Sequence, residues 1–241
     1  MELVNCKVPS PGVSDSFSKK MHSDDYQSIT GTDQPCPLCS RPSAFFRAWQ
    51  NRDYNICGTC DLVFVFSLEL MSLEEEKNRY LEHNNDPDDE RYQKFLSPVA
   101  QAVLLNHLPP ATGLDFGCGT GSPLPGMLDA HGFEMDIYDP FFAPYKEVFG
   151  KKYDFITCTE VVEHMRYPGK DILTMWNMVK PGGGLYIKTQ FRDPLRAFTD
   201  WYYIRDLTHI AFYSVHTMKW LARTFSADLT LAGNGVTVLL K

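Results

Sequence analysis

Four cysteines carry the plainest chemical signal in the 241-residue chain: Cys36-x2-Cys39, then seventeen residues, then Cys57-x2-Cys60. Each pair sets two sulfurs on one tight turn. Two such turns can close a tetrahedron around a thiophilic ion, the spacing of a zinc tetrathiolate. Four sulfurs complete the coordination and leave no place for a reacting water. The expected Zn2+ is therefore structural, stapling a stretch too small to have a core of its own. The competing reading is a redox CxxC. That motif opens a helix in a βαβ unit, whereas these pairs flank the aromatic, strand-like runs at 45–49 and 62–66.

The second signal is Leu114-Asp115-Phe116-Gly117-Cys118-Gly119-Thr120-Gly121, which follows a strand pattern and precedes a helix pattern. Glycines let backbone turn sharply and approach a ligand with no Cβ in the way. A dinucleotide loop needs GxGxxG, but Ser122 stands where the third glycine would be and the pattern is GxGxG. Asp115 would repel a pyrophosphate and suits a ligand carrying an amino group and a sulfonium. This segment resembles the first motif of class I S-adenosylmethionine-dependent methyltransferases. In that family the loop cradles the methionine part of the cofactor, which implies that role for Asp115, Gly117, Gly119 and Gly121. An acidic residue ending the second strand bonds both ribose hydroxyls there. Asp139, eighteen residues after Gly121, is its counterpart.

Two further stretches extend the likeness. YDFITCTEVVEHMRYP resembles the fourth strand and following loop of the branch that includes ubiquinone-biosynthesis methyltransferases, where an E-x-x-E-H run borders the active site. VKPGGGLYIKT resembles the turn into the fifth strand. The cysteine-rich leader resembles the zinc ribbon of many bacterial methyltransferases of cell-surface sugars and small metabolites, the methyltransferase type 23-like branch. The resemblance implies S-adenosylmethionine and Zn2+ as cofactors, Thr159 and Glu160 beside the cofactor, and a small-molecule or sugar-like acceptor. It also implies a third strand with an acidic adenine contact. Only thirteen residues separate Asp139 from Tyr153, so that strand is expected to be lost, with Phe141 and Phe142 or the strand end at 157–159 flanking the adenine instead.

Methyl transfer needs a base only when the nucleophile carries a proton, and histidine serves near neutral pH. His164 falls just past a strand's C-terminal end, where open α/β sheets bind ligands. A structural pairing with Glu160 is the alternative. His209 lies in Asp206-Leu207-Thr208-His209, similar to a D-x-T-H run of the same branch. Nearby, Trp201, Tyr202, Tyr203, Phe212 and Tyr213 either form a lid or pack a helix on the sheet. Arg192, Arg196 and Arg205 hint at an anionic acceptor. Cys118 and Cys158 read as small buried apolar residues and Cys6 as an exposed thiol without a role. His22, His83, His107, His131 and His216 have no catalytic context.

These residues need a scaffold of alternating strands and helices. Strands are expected at 112–116, 134–138, 155–158, 184–189, 229–232 and 236–240, with helices at 98–108, 123–131, 168–179 and 214–225. Gly233-Asn234-Gly235 marks a tight turn between the last two strands. The expected fold is α/β: a Rossmann-like doubly wound sheet ending in an antiparallel hairpin, preceded by a small zinc ribbon. The expected divisions are a disordered tail 1–33, the ribbon 34–66, a helical connector 67–98 and the catalytic domain 99–241.

A formal charge of −7 argues against nucleic acid as the main partner, because duplex affinity rests on basic residues. No apolar run suggests a membrane span and no secretory signal is evident, which leads to a cytoplasmic protein with reduced thiols. Three other readings stay open: an RNA methyltransferase whose ribbon docks nucleic acid, a non-catalytic binding protein of the same fold, and a nicotinamide dehydrogenase.

Overall fold

In the computed structural model, which describes residues 34–66, 70–82 and 86–241, ten strands and five α-helices follow one another along the chain. Three strands come first: β1 (Ala44–Trp49), β2 (Arg52–Ile56) and β3 (Val63–Val65). Two helices follow, α1 (Leu73–Leu81) and α2 (Glu90–Asn106). The remainder runs β4 (Thr112–Phe116), α3 (Leu124–Asp129), β5 (Glu134–Tyr138), β6 (Tyr153–Thr159), α4 (Pro168–Met178), β7 (Val179–Lys188), β8 (Ala211–Phe212), α5 (Val215–Phe225), β9 (Asp228–Leu231) and β10 (Val236–Leu240). The expected tail, with Cys6 and His22, lies outside the described residues, as does His83. No helix among the described residues is long and apolar enough to cross a membrane.

Six strands form the main sheet in the order β5-β4-β6-β7-β10-β9. The first four are parallel, and β10 runs antiparallel to both β7 and β9. Strand alternation divides the core. Phe155, Tyr186 and Val238 point to the face covered by α2 and α3, while Ile156, Leu185, Ile187 and Leu239 point to the face covered by α4 and α5. The closing hairpin turns at Gly233, Asn234 and Gly235, all with positive φ. Between Asp139 and Tyr153 the chain makes one bridge, Asp139 with Ala143, and a 3-10 turn, Lys146–Gly150, so β5 is the sheet edge and the expected loss of the third strand is seen.

Sequence reasoning starts a helix at Pro98; the structure starts it at Glu90 and carries it through the proline. Proline has no N–H to give the carbonyl four residues back, which is that of Lys94. The Ser97 hydroxyl donates to this carbonyl instead, at 2.9 Å, and so relieves the lost bond. Asp89 caps the early start by accepting from Arg91 N. The expected boundary at residue 98 thus falls inside α2.

The ribbon does not stand apart. Its antiparallel β1-β2-β3 sheet gains a fourth strand, β8, from the C-terminal half of the chain. One face carries Cys36, Cys57, Cys60 and Phe64 into the same core as Ile156 and Leu185. The other face, Tyr54, Val63, Val65 and Phe212, is covered by Phe198, Trp201 and Tyr203. Of the two readings for the five aromatics, lid or packing, burial selects packing for four: only Tyr202 is exposed and the rest are buried. A three-stranded meander cannot bury an apolar face unaided, and these rings do it. The expected basic region is dispersed as well. Arg192 holds both carboxylate oxygens of Asp61 at 2.8 Å, Arg196 binds the Asp200 carbonyl, and none of the three arginines faces the main cavity.

Candidate functional site

A cavity of about 620 Å3 opens at the C-terminal ends of β4, β5 and β6, within the size range of small-ligand sites. The turn after β4 floors it. Gly117 has φ +86°, and a Cβ there would lie 2.4 Å from Cγ2 of Val161, so only glycine fits. Its N–H donates to the Tyr138 carbonyl at 2.7 Å, which fastens the turn to the end of β5. Gly119, φ +59°, donates its N–H to Oδ2 of Asp139 at 3.0 Å. Oδ1 of Asp139 accepts from the N–H groups of Phe141 and Phe142 at 2.8 and 3.0 Å. One buried carboxylate thereby joins the glycine turn to the loop carrying both phenylalanines, and all of these border the cavity. Gly121 continues the turn away from it.

Asp115 lies beneath the turn and does not face the cavity. Burial pushes its carboxyl up to about 6, with the nearby Asp139 adding to the rise, while hydrogen bonds from Thr157 (2.8 Å) and Ser122 hold it down. The folded-state value exceeds the unfolded one, so this group's contribution to stability is full below about pH 4 and is lost as pH rises through 6. Asp115→Asn should remove that loss. Calorimetric scans are expected to show the variant gaining on the parent between pH 4 and 7, by on the order of 3 kcal/mol. Parallel stability profiles would refute the assignment.

The opposite wall comes from the end of β6 and the 3-10 turn Val162–His164. Thr159, Glu160, His164 and His209 all border the cavity, so the structure brings these expected residues together with Gly117, Gly119 and Asp139. Glu160 adopts φ +52°, its N–H bonded to the Lys188 carbonyl at 2.7 Å and its carboxylate paired with Lys188 Nζ at 3.0 Å. Glu163 turns inward and is fully buried. Burial, then the charge of Glu160, pushes it up to about 8, against hydrogen bonds from Tyr203 and Thr189. The His164 and His209 rings sit 4.8 Å apart between centroids. Their Nδ1 atoms meet the carbonyls of Thr208 (3.0 Å) and Tyr203 (2.6 Å). A carbonyl only accepts, so each neutral ring carries its proton on Nδ1 and has Nε2 as its basic nitrogen.

Sequence reasoning missed the roof. Helices α1 and α2 close the cavity with Tyr80, Tyr92 and Phe95. Tyr80 stands edge-on to His164 and tilted against Phe141, with ring centroids 5.3 and 5.9 Å away, and donates its hydroxyl to Glu76. Glu76 pairs with Arg166 at 3.0 Å, tying the roof to the wall that follows β6. Only isolated aromatics in an otherwise charged stretch could have signalled this. Cys118 and Cys158 are buried, as expected. His107 packs on Phe155 and Tyr186, outside the cavity wall.

Apart from the cavity, the four ribbon sulfurs lie within 4.8 Å of one another, with Cys36 to Cys60 at 3.6 Å and Cys39 to Cys57 at 3.4 Å. A tetrahedral zinc with bonds of about 2.3 Å has sulfur–sulfur edges of about 3.8 Å, so the donor set fits that ion. The two turns repeat one geometry. Ser40 and Asp61 follow the second cysteine of their pair with φ of 57° and 62°, and donate their N–H groups to the carbonyls of Cys36 and Cys57. Gly169 presses the start of α4 against the first turn, where a Cβ would meet the Leu38 carbonyl at 2.3 Å.

A family model described as a methyltransferase domain matches residues 88–230. Ubiquinone biosynthesis O-methyltransferase of Saccharophagus degradans is 32% identical over 87 residues, 34% of this chain and 35% of that protein. The protein of the same name from Burkholderia lata is 29% identical over 115 residues, 38% of this chain and 49% of that one. The match thus spans between a third and a half of these relatives' length. Among solved structures, an O-methyltransferase family protein from Burkholderia thailandensis aligns with a TM-score of 0.46 at 15% identity, covering 68% of this chain and 61% of that one. Magnesium protoporphyrin IX methyltransferase from Synechocystis aligns with a TM-score of 0.44 at 13% identity, covering 70% and 94%.

Proposed function

Since the chain belongs to the methyltransferase-domain family of class I S-adenosylmethionine-dependent methyltransferases, we propose that it transfers a methyl group from S-adenosylmethionine to a small-molecule or sugar-like acceptor, with a structural zinc in the ribbon. The observation that carries this reading is the Asp139 carboxylate, bonded to Gly119 N across the floor of the cavity. Two details support the fit. Gly117 keeps the floor free of side chain, and Thr159 Oγ1 is buried without a hydrogen-bond partner among the described residues, a polar atom that a ligand would satisfy.

When bound, the cofactor supplies an electrophilic methyl on a sulfonium. The residues of this chain do the rest. Gly117 and Gly119, with Gly121 behind them, present backbone to the methionine part. Asp139 accepts from a ribose hydroxyl through Oδ2, which keeps one lone pair beyond the one used by Gly119 N–H, while both on Oδ1 are taken by Phe141 and Phe142. Phe141 and Phe142 offer flat apolar surface to the base. Asp115 and Glu160 contribute negative charge from beneath and beside the turn, which favours a cationic ligand. Tyr80, Tyr92 and Phe95 exclude water, raising the strength of every polar contact inside. His209 or His164, each basic at Nε2, takes the proton of the acceptor's nucleophile. Cys36, Cys39, Cys57 and Cys60 hold the zinc. A roofed cavity favours a compact acceptor, and the charge of −7 disfavours nucleic acid.

Calorimetric titration of the full chain with S-adenosylhomocysteine should give a dissociation constant in the micromolar range and a matching rise in Tm. Incubation with S-adenosylmethionine and fractionated metabolites should then identify a product one methyl heavier. No heat and no Tm shift at millimolar ligand would end the proposal.

A further inference from the structure

The segment carrying His209 has almost no regular structure of its own: one short strand, β8, begins two residues later. Its shape comes from what grips it. On one flank is the ribbon. Val65 N donates to the Ile210 carbonyl at 2.9 Å, β3 pairs with β8 through Val63 with Phe212 and Phe64 with Ala211, and Nη1 of Arg52 reaches the carbonyl of His209 itself at 3.4 Å. On the other flank, Ile210 N donates to the Glu163 carbonyl at 2.8 Å, one residue before His164. Residue 210 is thus clamped between the ribbon and the turn after β6, with His209 beside it facing the cavity.

We propose that the cysteine ribbon is a positioning element of the active site, and that Arg52, buried at 6% exposure, is the positioning residue that fixes His209 relative to His164. This rests on the reading of His209 as a proton-handling residue. The ribbon cysteines line no part of the main cavity, and the ribbon's backbone contact with the cavity's histidines runs through 209–212. Reacting groups must be held within fractions of an ångström, and an irregular segment achieves this only if its carbonyls and N–H groups are taken up on both sides. Arg52 suits the task because a guanidinium does not shed its charge on burial. The groups around the His209 imidazole include Tyr203 at 4.0 Å and His164 at 4.8 Å between ring centroids, with Asp206 on its own segment and Glu163 on the adjoining turn. Against these acidic neighbours, Arg52 is the cation on the ribbon side. Losing it should favour the imidazolium and loosen the ring.

Nuclear magnetic resonance of the full chain with labelled histidines tests this, His209 being assigned from its missing signal in His209→Gln. In Arg52→Gln the His209 ring resonances should move and its titration midpoint rise by roughly half a pH unit or more. S-adenosylhomocysteine affinity should stay within about twofold, and bound zinc per chain should stay unchanged. Arg52→Lys, which keeps the charge but not the fork, should restore the midpoint in part, and it gives the same readout should Arg52→Gln fold poorly. Coincident His209 signals in parent and variant overturn the proposal. So does a fall in ligand affinity in Arg52→Gln that tracks the His209 change, because Arg52 would then act on the whole fold. Absence of ligand binding by the parent itself would instead defeat the methyltransferase reading and leave the His209 measurement to stand alone.

Discussion

Asp139→Ala is expected to weaken binding of S-adenosylhomocysteine by roughly a hundredfold, the equivalent of about 3 kcal/mol for a lost hydrogen bond to a charged acceptor. The carboxylate has two tasks. It would accept from the ligand, and it already accepts from Gly119, Phe141 and Phe142 N–H groups, which alanine would leave without their acceptor. Loss of affinity should therefore come with loss of stability. Asp139→Asn separates the tasks: its amide oxygen can keep the Phe141 and Phe142 bonds, while its NH2 cannot accept from Gly119. Stability should largely return in that variant and affinity should not. Titration calorimetry and urea unfolding of the two variants give the comparison. A dissociation constant for Asp139→Ala within threefold of the parent, in a protein that still folds, would remove Asp139 from the binding site.

Loss of the ribbon metal should have the largest effect on stability. Cys57→Ser, or exhaustive chelation, is expected to lower Tm by roughly 10 °C or more, since zinc binding free energy is folding free energy where no site exists in the unfolded chain. The effect should not be confined to residues 34–66. Cys36, Cys57 and Cys60 share a core with Ile156, Leu185 and Leu239, and Asp61 after the second pair bonds both Arg192 and the Ser214 hydroxyl that caps α5. One broad loss of structure is expected rather than a small early transition followed by the parent's. Metal analysis should find one zinc per chain in protein purified without added metal. Protein that carries no metal yet melts like the parent, or a Cys57→Ser variant within 2 °C of it, would show that the quartet is not a stabilising centre.

What was legible in the sequence was whatever a short local pattern determines. The bounds of β4, β5 and β10 follow from short strand-like runs between clear turn residues, and the glycine turn from a spacing that separates two cofactor classes. The loss of the third strand followed from arithmetic, because thirteen residues cannot hold a helix, a strand and a loop. The quartet was legible for the same reason, its ligands lying in two four-residue motifs. What escaped depends on distant partners. Two-residue β8 has no periodicity and exists because β3 needs a neighbour. Trp201, Tyr203 and Phe212 have the composition of a lid, and only the ribbon's bare face decides that they pack. Glu76, Tyr80 and Arg166 form a contact across about ninety residues of chain that no local motif encodes. Pro98 pointed the wrong way because a single serine hydroxyl compensates for it.

The pairing of β3 with β8 also sets an order of events during synthesis. The partners are about 150 residues apart, so at typical elongation rates the outer edge of the ribbon leaves the ribosome on the order of ten to thirty seconds before its mate exists. The first-made module is thus among the last to be completed, and its metal ligands are translated well before the sheet that shelters them. Such long-range closure slows folding. A nascent chain halted before residue 211 would present a raw strand edge beside four thiols, which makes early metal capture the natural protection for that interval.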